Sequence, residues 1–466
     1  MKPTAYRHLF SGKKITVMGL GLLGRGLGDI RFLAGQGAEL TVTDLKTAEQ
    51  LQSSLLKLKK YPKIKYVLGR HRLADFSARG GQASPDLILK AAGVPLDSPY
   101  IAEARKYNVP VEMSTALFAK IAKEAGVHLI GVTGTRGKTT VTYLVYEILK
   151  RHLGLNRPRK GAVGRTTFQV VLGGNIRGVS TLPLLKKVRA GDWAVLELDS
   201  WQLQGFGENK ISPEIAVFTN LLPDHLNYYG SLKKYFADKV NIFRYQNKGG
   251  HLVVGEQVEG KVKAQSPKGQ MEIVNQKLIP KAWKVKMPGE HNRSNAALAL
   301  AAARAANIPD KISKQVFKTF PGVPGRLELI RDARGIKVYN DTTSTTPDAP
   351  LAALKALGSK KKVILIAGGS DKGLPLGGLV KELSKYVKRL ILLPGSGSEK
   401  LKDKSAKYSA LNLKEITNLQ EAVGVAVDSS RRGDTILFSP GFASFGLFKN
   451  EYDRGDQFVK LIKKIK

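Results

Sequence analysis

No cysteine occurs among the 466 residues, which excludes disulfides, thiolate metal sites and a cysteine nucleophile and is compatible with a reducing cytoplasm. No apolar run approaches the roughly 18 residues a membrane span needs, and residues 1–10 lack the apolar core of a signal peptide. The expectation is a soluble cytoplasmic protein. Neither an internal repeat of fixed period nor a low-complexity segment is found. Acidic residues are scarce, 38 against 76 basic ones, for a formal net charge of +38. Such a charge fits nucleic-acid binding, attraction to an anionic membrane, or a lysine-rich surface on an enzyme of anionic substrates. The basic residues are scattered (Lys57, Lys59, Lys60; Lys186, Lys187; Lys233, Lys234; Lys360, Lys361, Lys362; Lys463, Lys464), interleaved with apolar residues as on solvated faces. They come without a nucleic-acid-binding motif, so no nucleic-acid partner is expected.

What is present is a globular composition, 42% hydrophobic and 24% charged, at a length that suggests about three domains. The chain is organised around residues 131–140, Gly-Val-Thr-Gly-Thr-Arg-Gly-Lys-Thr-Thr. An apolar, strand-like segment (127–132) leads in, glycines at 134 and 137 let backbone N–H groups turn toward an anion, and a helical pattern (Val141, Leu144, Val145, Ile148, Leu149) follows. Strand, loop and helix N-terminus make a phosphate-binding loop. Lys138 would reach the β/γ-phosphates of ATP and the Thr139 hydroxyl would sit on Mg²⁺. The spacing departs from the strict pattern, since five residues before Gly137 stands Val132.

Upstream, an apolar strand runs into Gly19-x-Gly21-x-x-Gly24, followed by a helix-length segment and a second strand ending at Asp44. This is a βαβ nucleotide unit, with Asp44 where a dinucleotide fold places an acid on a ribose. Read alone it suggests NAD or FAD; the second nucleotide loop at 131 argues against that. Strands at 64–68 and 86–89 continue the alternation to about residue 112. The middle of the chain adds strands at 192–198 and 215–218, a helix at about 233–243, short strand candidates in a lysine-rich stretch at 250–290, and an alanine-dense helix at 296–306. Pro-Gly-Val-Pro-Gly at 321–325 marks a boundary. Beyond it, strands at 336–339, 363–367, 390–393 and 435–438 give another doubly wound α/β unit.

Chemistry-bearing groups fall at expected strand ends. Glu197 closes a strand, and Asp224-His225 follow another after a short loop; a carboxylate and a neutral imidazole suit divalent ions beside a triphosphate. The alternative for His225 is a satisfied structural histidine. Asn292 and Asn295 lie three apart at the start of the alanine-rich helix, one face of amides suited to a purine edge or a ribose, with N-capping as the alternative for one of them. Arg326, after the Pro-Gly turn, and Asp341, at a strand end, are placed to close over ATP.

Together these segments resemble the Mur ligases of peptidoglycan synthesis: Gly-Thr-Arg-Gly-Lys-Thr-Thr at 134–140, Glu-Leu-Asp-Ser-Trp-Gln at 197–202, Thr-Asn-Leu-Leu-Pro-Asp-His at 219–225, Gly-Glu-His-Asn-Arg-Ser-Asn at 289–295 and Pro-Gly-Arg-Leu-Glu at 324–328. Two later segments, Ala-Gly-Gly-Ser-Asp-Lys-Gly at 367–373 and Ser-Pro-Gly-Phe-Ala-Ser-Phe-Gly-Leu-Phe-Lys-Asn at 439–450 with Arg-Gly-Asp from 454, are similar to the branch that adds glutamate. The resemblance implies three α/β domains: a Rossmann-like UDP-substrate domain (1–113), a central P-loop ATPase-type domain (114–321) and a Rossmann-like, doubly wound amino-acid domain (322–466).

It further implies that Gly19, Leu20, Gly21, Gly24 and Asp44 serve the UDP of UDP-N-acetylmuramoyl-L-alanine and not a dinucleotide, with Asn175 on its muramoyl part and His225 a further contact to this substrate. ATP would be held by Gly134, Thr135, Arg136, Gly137, Lys138, Thr139, Thr140, Asn292, Asn295, Arg326 and Asp341. Two Mg²⁺ would be held through Thr139, Glu197, His225 and Lys239, the last matching a lysine that is carbamylated in the family. Lys138, Lys239 and His225 would be catalytic, and a monomer is expected. The implied reaction activates a carboxylate with ATP as an acyl phosphate, which the amine of glutamate then attacks. The chain departs from the family in the third domain. Thr343 replaces a lysine that pairs with a glutamate carboxylate, Glu451 replaces a phenylalanine, and Ala-Ala-Gly at 91–93 replaces Ser-Pro-Gly. The amino acid would meet Thr343, Thr345, Ser444 and Lys449, with Lys449 or Lys372 as the substitute cation. D-glutamate is the expected amino acid. The alternatives are an L-glutamate-adding variant or another specificity in the family, a folylpolyglutamate-synthase-like ligase and, from another class, a nucleic-acid-stimulated ATPase.

Overall fold

The computed structural model describes residues 6–22, 24–77, 84–155, 168–358, 361–406, 412–444 and 446–465. Leu23, Lys360 and Phe445, which fall in segments quoted above, lie outside them. The strands are β1 Lys14–Met18, β2 Glu39–Asp44, β3 Lys65–Leu68, β4 Leu87–Lys90, β5 Val111–Met113, β6 His128–Thr133, β7 Val170–Gly174, β8 Trp193–Glu197, β9 Ile215–Phe218, β10 His251–Gly255, β11 Gln270–Val274, β12 Glu328–Ala333, β13 Ile336–Asn340, β14 Val363–Gly368, β15 Val387–Leu393, β16 Asn412–Glu415 and β17 Thr435–Phe438. They form three sheets ordered β3-β2-β1-β4-β5, β11-β10-β9-β6-β8-β7 and β12-β13-β17-β14-β15-β16. All pairings are parallel except that of β12 with β13. The expected three-domain α/β architecture is therefore present.

The sequence reads this way because parallel strands covered on both faces need continuous apolar runs. In β14, Val-Ile-Leu-Ile-Ala-Gly, all six residues are buried. The alanine-rich helix runs over Glu290–Ala305, so it starts six residues before the alanine-dense stretch and takes in Asn292 and Asn295. The helix expected at 233–243 is Leu232–Lys239, with a tighter turn over Val240–Ile242.

The chain divides into two compact units, residues 1–278 with 295–316, and residues 279–294 with 317–466. The first unit carries the first two sheets. Their helices pack without a gap: a side chain at Gly205 would meet Met113 and Ala116 at 3.0 to 3.2 Å, which fixes helix Ser200–Glu208 against Ser114–Glu124. The second unit carries the third sheet.

Each sheet has a point where the strand order reverses, and open α/β sheets bind ligands just beyond it, at the strands' C-terminal ends. In the first sheet it lies between β1 and β4. In the second it is at β6, flanked by β8 and β9.

Candidate active site

The loop after β6 has the conformation its glycines allow. Gly134 has φ +139° and Gly137 φ +81°, outside the range L side chains favour. A side chain at Gly134 would collide with the Thr219 hydroxyl, and one at Gly137 with the Asn295 amide oxygen. The loop is laced to residues 219–224. Arg136 N–H donates to Asn220 Oδ1 at 2.9 Å, Thr219 Oγ1 donates to Arg136 O at 2.6 Å, and the Arg136 guanidinium pairs with Asp224 at 2.9 Å. Thr135 Oγ1 accepts the Leu222 N–H at 2.9 Å. Lys138 and Thr139 open helix Lys138–Leu155, and the Lys138 ammonium donates to Gly134 O at 3.0 Å and Thr135 O at 3.1 Å. Thr140 is buried in the first turn, 6% exposed.

Behind this loop stands Lys239, 1% exposed. Its Nζ donates to Gly134 O at 3.0 Å and Thr133 Oγ1 at 3.3 Å and lies 4.7 Å from the Tyr235 ring centre. Burial, aided by the Lys138 charge and opposed by Asp199, Asp224 and Asp238, holds this amine well below the usual lysine range. The same Tyr235 ring has His225 6.1 Å away and its hydroxyl 3.5 Å from Thr135 Oγ1. His225 adopts φ +53°, a rare backbone state for a non-glycine that clusters at functional sites. Its imidazole is 38% exposed and packs against Trp201 at a tilt of 55°, ring centres 4.6 Å apart, so it is not a core histidine. Glu197 ends β8 in register with Val132 of β6 and is 2% exposed. Asn175 follows β7 and donates its N–H to Glu197 O at 2.8 Å.

The structure thus gathers Lys138, Thr139, Glu197, His225, Lys239 and Asn175 around the C-terminal ends of β6, β8 and β9. Among the described residues no group of three or more His, Cys, Asp or Glu stands ready to hold a metal ion. Oxygen donors few in number suit Mg²⁺, which takes most of its ligands from phosphate and water. The donor set therefore fits a metal carried by a nucleotide better than a resident one.

In the first sheet, Gly19, Gly21 and Gly24 all have positive φ. Asp44 holds their loop: its Oδ2 accepts the Gly21 N–H and its Oδ1 the Lys46 N–H, both at 2.9 Å. Its contact is with the loop itself, a role the spacing to a ribose did not suggest. The Leu20 side chain is core, leaving its backbone to face a cleft of about 260 Å³ that runs from Gly19–Leu22 to Gly174, Thr181 and Gln202. Three charged residues that sequence reading passed over, Arg25, Asp29 and Lys90, line it. The available signal was Lys90, a charge closing the apolar strand β4 at a ligand-bearing end.

In the second unit, three loops meet beyond the neighbouring strands β13, β17 and β14. Asp341 is buried with its oxygens on Leu327 N–H (2.9 Å) and the Ser439 hydroxyl (2.7 Å). Burial pushes its carboxyl up to about 7 against the pull of those bonds and of Arg326. Thr343 Oγ1 donates to Gly325 O at 3.0 Å. Lys372 Nζ donates to Thr345 Oγ1 at 3.3 Å, so a cation lies on the loop of Thr343 and Thr345. Lys449 is exposed before helix Glu451–Lys464. Ser444 is 6% exposed, and the neighbouring Ala443 exchanges backbone hydrogen bonds with Ser370 at 3.0 and 3.1 Å. Arg454, absent from the expected contacts, is 1% exposed and bonds Thr342 O at 2.8 Å and Phe442 O at 3.2 Å, tying two of these loops together. Asn292 Nδ2 donates to Pro288 O at 2.8 Å.

Residues 132–276 match the Mur ligase middle domain and residues 325–442 the Mur ligase glutamate ligase domain. A UDP-N-acetylmuramoylalanine–D-glutamate ligase of Roseiflexus sp. (strain RS-1) is 34% identical, covering 97% of this chain and 98% of the relative. One from Borreliella afzelii (strain PKo) is also 34% identical, with 96% of each chain covered. Among solved structures, the UDP-N-acetylmuramate-alanine ligase of Thermotoga maritima aligns with TM-score 0.60 at 19% identity, over 97% of this chain and all of the other. Motifs, sheet topology and relatives agree, and the chain belongs to the Mur ligase family.

Proposed function

We propose that the chain is an ATP-dependent amide ligase that joins D-glutamate to UDP-N-acetylmuramoyl-L-alanine, with domains at 1–113 for the UDP substrate, 114–321 for ATP and 322–466 for the amino acid. The reading is carried by the phosphate loop backed by the buried Lys239, in a chain whose full-length relatives bear the name of that reaction. A carboxylate is a poor acyl donor. The alanine carboxylate oxygen attacks the γ-phosphorus of ATP, the bond to ADP breaks, and an acyl phosphate forms. The amine of glutamate then attacks the acyl carbon, loses a proton, and phosphate leaves with the former carboxylate oxygen.

Lys138 trades its carbonyl partners in the loop for β/γ-phosphate oxygens, and the Gly134–Thr140 backbone N–H groups cradle them. Thr139, Glu197, His225 and Lys239 would hold Mg²⁺, which supplies charge neutralisation for the triphosphate. The depressed basicity of Lys239 favours its neutral amine, the form that adds CO₂ and releases a proton to give a carbamate. Asn175 and His225 orient the muramoyl arm. On the glutamate side, Lys372 beside Thr345 supplies the cation that Thr343 lacks. If the alanine carboxylate is labelled with ¹⁸O, one labelled oxygen is expected in the released phosphate. Label retained wholly in the amide product and unreacted substrate would exclude an acyl phosphate.

A further inference from the structure

The cleft at the end of β1 holds three ionisable side chains that the assignments above leave unused. Arg25, Asp29 and Lys90 all line it. Asp29 and Lys90 are 5% and 3% exposed and of opposite sign, yet among the described residues no ion pair involves either of them, or Arg25. The Lys90 ammonium donates only to carbonyls, Val94 O at 2.8 Å and Ala91 O at 3.5 Å, while Asp199, Glu208 and Asp238 act on it from further away against Arg105. Burial lowers this amine to about 8 and raises the Asp29 carboxyl to about 7, with Ser114, Leu182 and Arg25 opposing the second shift. Asp29 Oδ1 and Arg25 Nε are buried atoms with no hydrogen-bond partner. Arg25 is moreover the first residue of helix Arg25–Gly35, which has no acid in its first turn. A cation there opposes the helix dipole.

The Asp29 carboxyl is bonded to Ser114 and Leu182, so what the buried groups lack is a counter-ion, and a buried charge without one is costly to a fold and persists where a ligand completes it. The positions say which ligand groups would do so. Arg25 follows the glycine loop directly, and Ala91, next to Lys90, is the residue that a side chain at Gly19 would meet at 2.9 Å. Both cations line the cleft onto which the glycine loop opens. Asp29 lies one turn further along the same helix, in the wall that leads toward Thr181 and Gln202.

We propose that Arg25, Asp29 and Lys90 form a specificity subsite for an amide-bearing UDP-sugar: the two cations take diphosphate oxygens beside the glycine loop, and Asp29 accepts a hydrogen bond from an amide N–H on the sugar side. This rests on the reading of the first domain as a UDP-substrate domain. Calorimetric titration of the full chain with UDP and with UDP-N-acetylmuramoyl-L-alanine, plus thermal unfolding without ligand, tests it. Arg25→Gln and Lys90→Met are expected to weaken both ligands about tenfold or more, about the effect of a lost charge-assisted contact. Asp29→Asn should weaken the muramoyl compound at least about fivefold and leave UDP within about twofold. Because the burial of charge is relieved, ligand-free Lys90→Met should unfold at the same temperature as the parent chain or higher. Unchanged affinities, equal loss of both ligands in Asp29→Asn, or variants destabilised without ligand would overturn the subsite. A parent chain that binds neither ligand would overturn the UDP reading itself.

Discussion

Lys239 shows how a single residue is held in a state its type does not favour. Its ammonium would sit fully buried beside Lys138, which favours the neutral amine against the pull of Asp199, Asp224 and Asp238. Lys239→Ala is expected to lower amide formation by about a hundredfold, the scale of losing a metal-positioning group, with partial rescue by short carboxylic acids such as acetate; full activity, or a loss that acetate leaves untouched, would remove the carbamate. Asp341 offers a second test. Its carboxyl is raised from 3.8 to about 7, so the folded chain holds this proton where the unfolded chain has released it. The stabilisation is complete below about pH 4 and is lost as pH rises through about 7, by at most about 4 kcal/mol. Asp341→Asn should therefore flatten the fall in unfolding temperature between pH 4 and 7, and an unaltered pH profile would contradict the assignment. At this scale the sequence was informative where chemistry is local, as at Lys138. It was silent at Asp29, gave only a strand-end position for Lys90 and only a motif for Arg454, because what distinguishes a buried charge from a solvated one is tertiary placement. Among 76 basic residues, Lys239 was visible only by resemblance.

The central element is β6, its loop and the helix that follows. The loop is shaped from outside as much as by its own glycines, because Thr219 and Asn220 hold Arg136 and leave no room at Gly134. Gly134→Ala is expected to cost more than about 2 kcal/mol, since it adds both a disfavoured φ and a collision, and to abolish ADP binding; thermal unfolding and an ADP titration check this. The strand–loop–helix order was legible because an apolar run, paired glycines and a helical period each carry a local signal. Strand β7, Val-Val-Leu-Gly-Gly, was not, as two glycines read as a turn. Gly174 in fact has φ +83° and needs no side chain because the Glu197 backbone fills that space. Strands β12 and β16 alternate or are largely polar, as befits the two edges of the third sheet.

For the whole molecule, the reading joins three sheets, each with its ligand-bearing strand ends, to one reaction that needs three substrates. Fold class and family were legible because seven motifs spread over residues 134–456 agree. Amino-acid specificity was less so: the sequence left Lys449 and Lys372 as alternative cations, and only the structure shows Lys372 Nζ bonded to Thr345 Oγ1 while Thr343, in place of the expected lysine, is bonded to Gly325 O. The charge of +38 has no structural account beyond attraction for anionic substrates, and no described helix is long and apolar enough to cross a membrane. The most direct test of the central claim is phosphate release from ATP, measured with UDP-N-acetylmuramoyl-L-alanine across D- and L-amino acids, with DNA as a separate addition. Release that requires both the muramoyl compound and glutamate, with D-glutamate preferred over L-glutamate, is the predicted result; hydrolysis indifferent to both substrates, or raised by DNA instead, would contradict it.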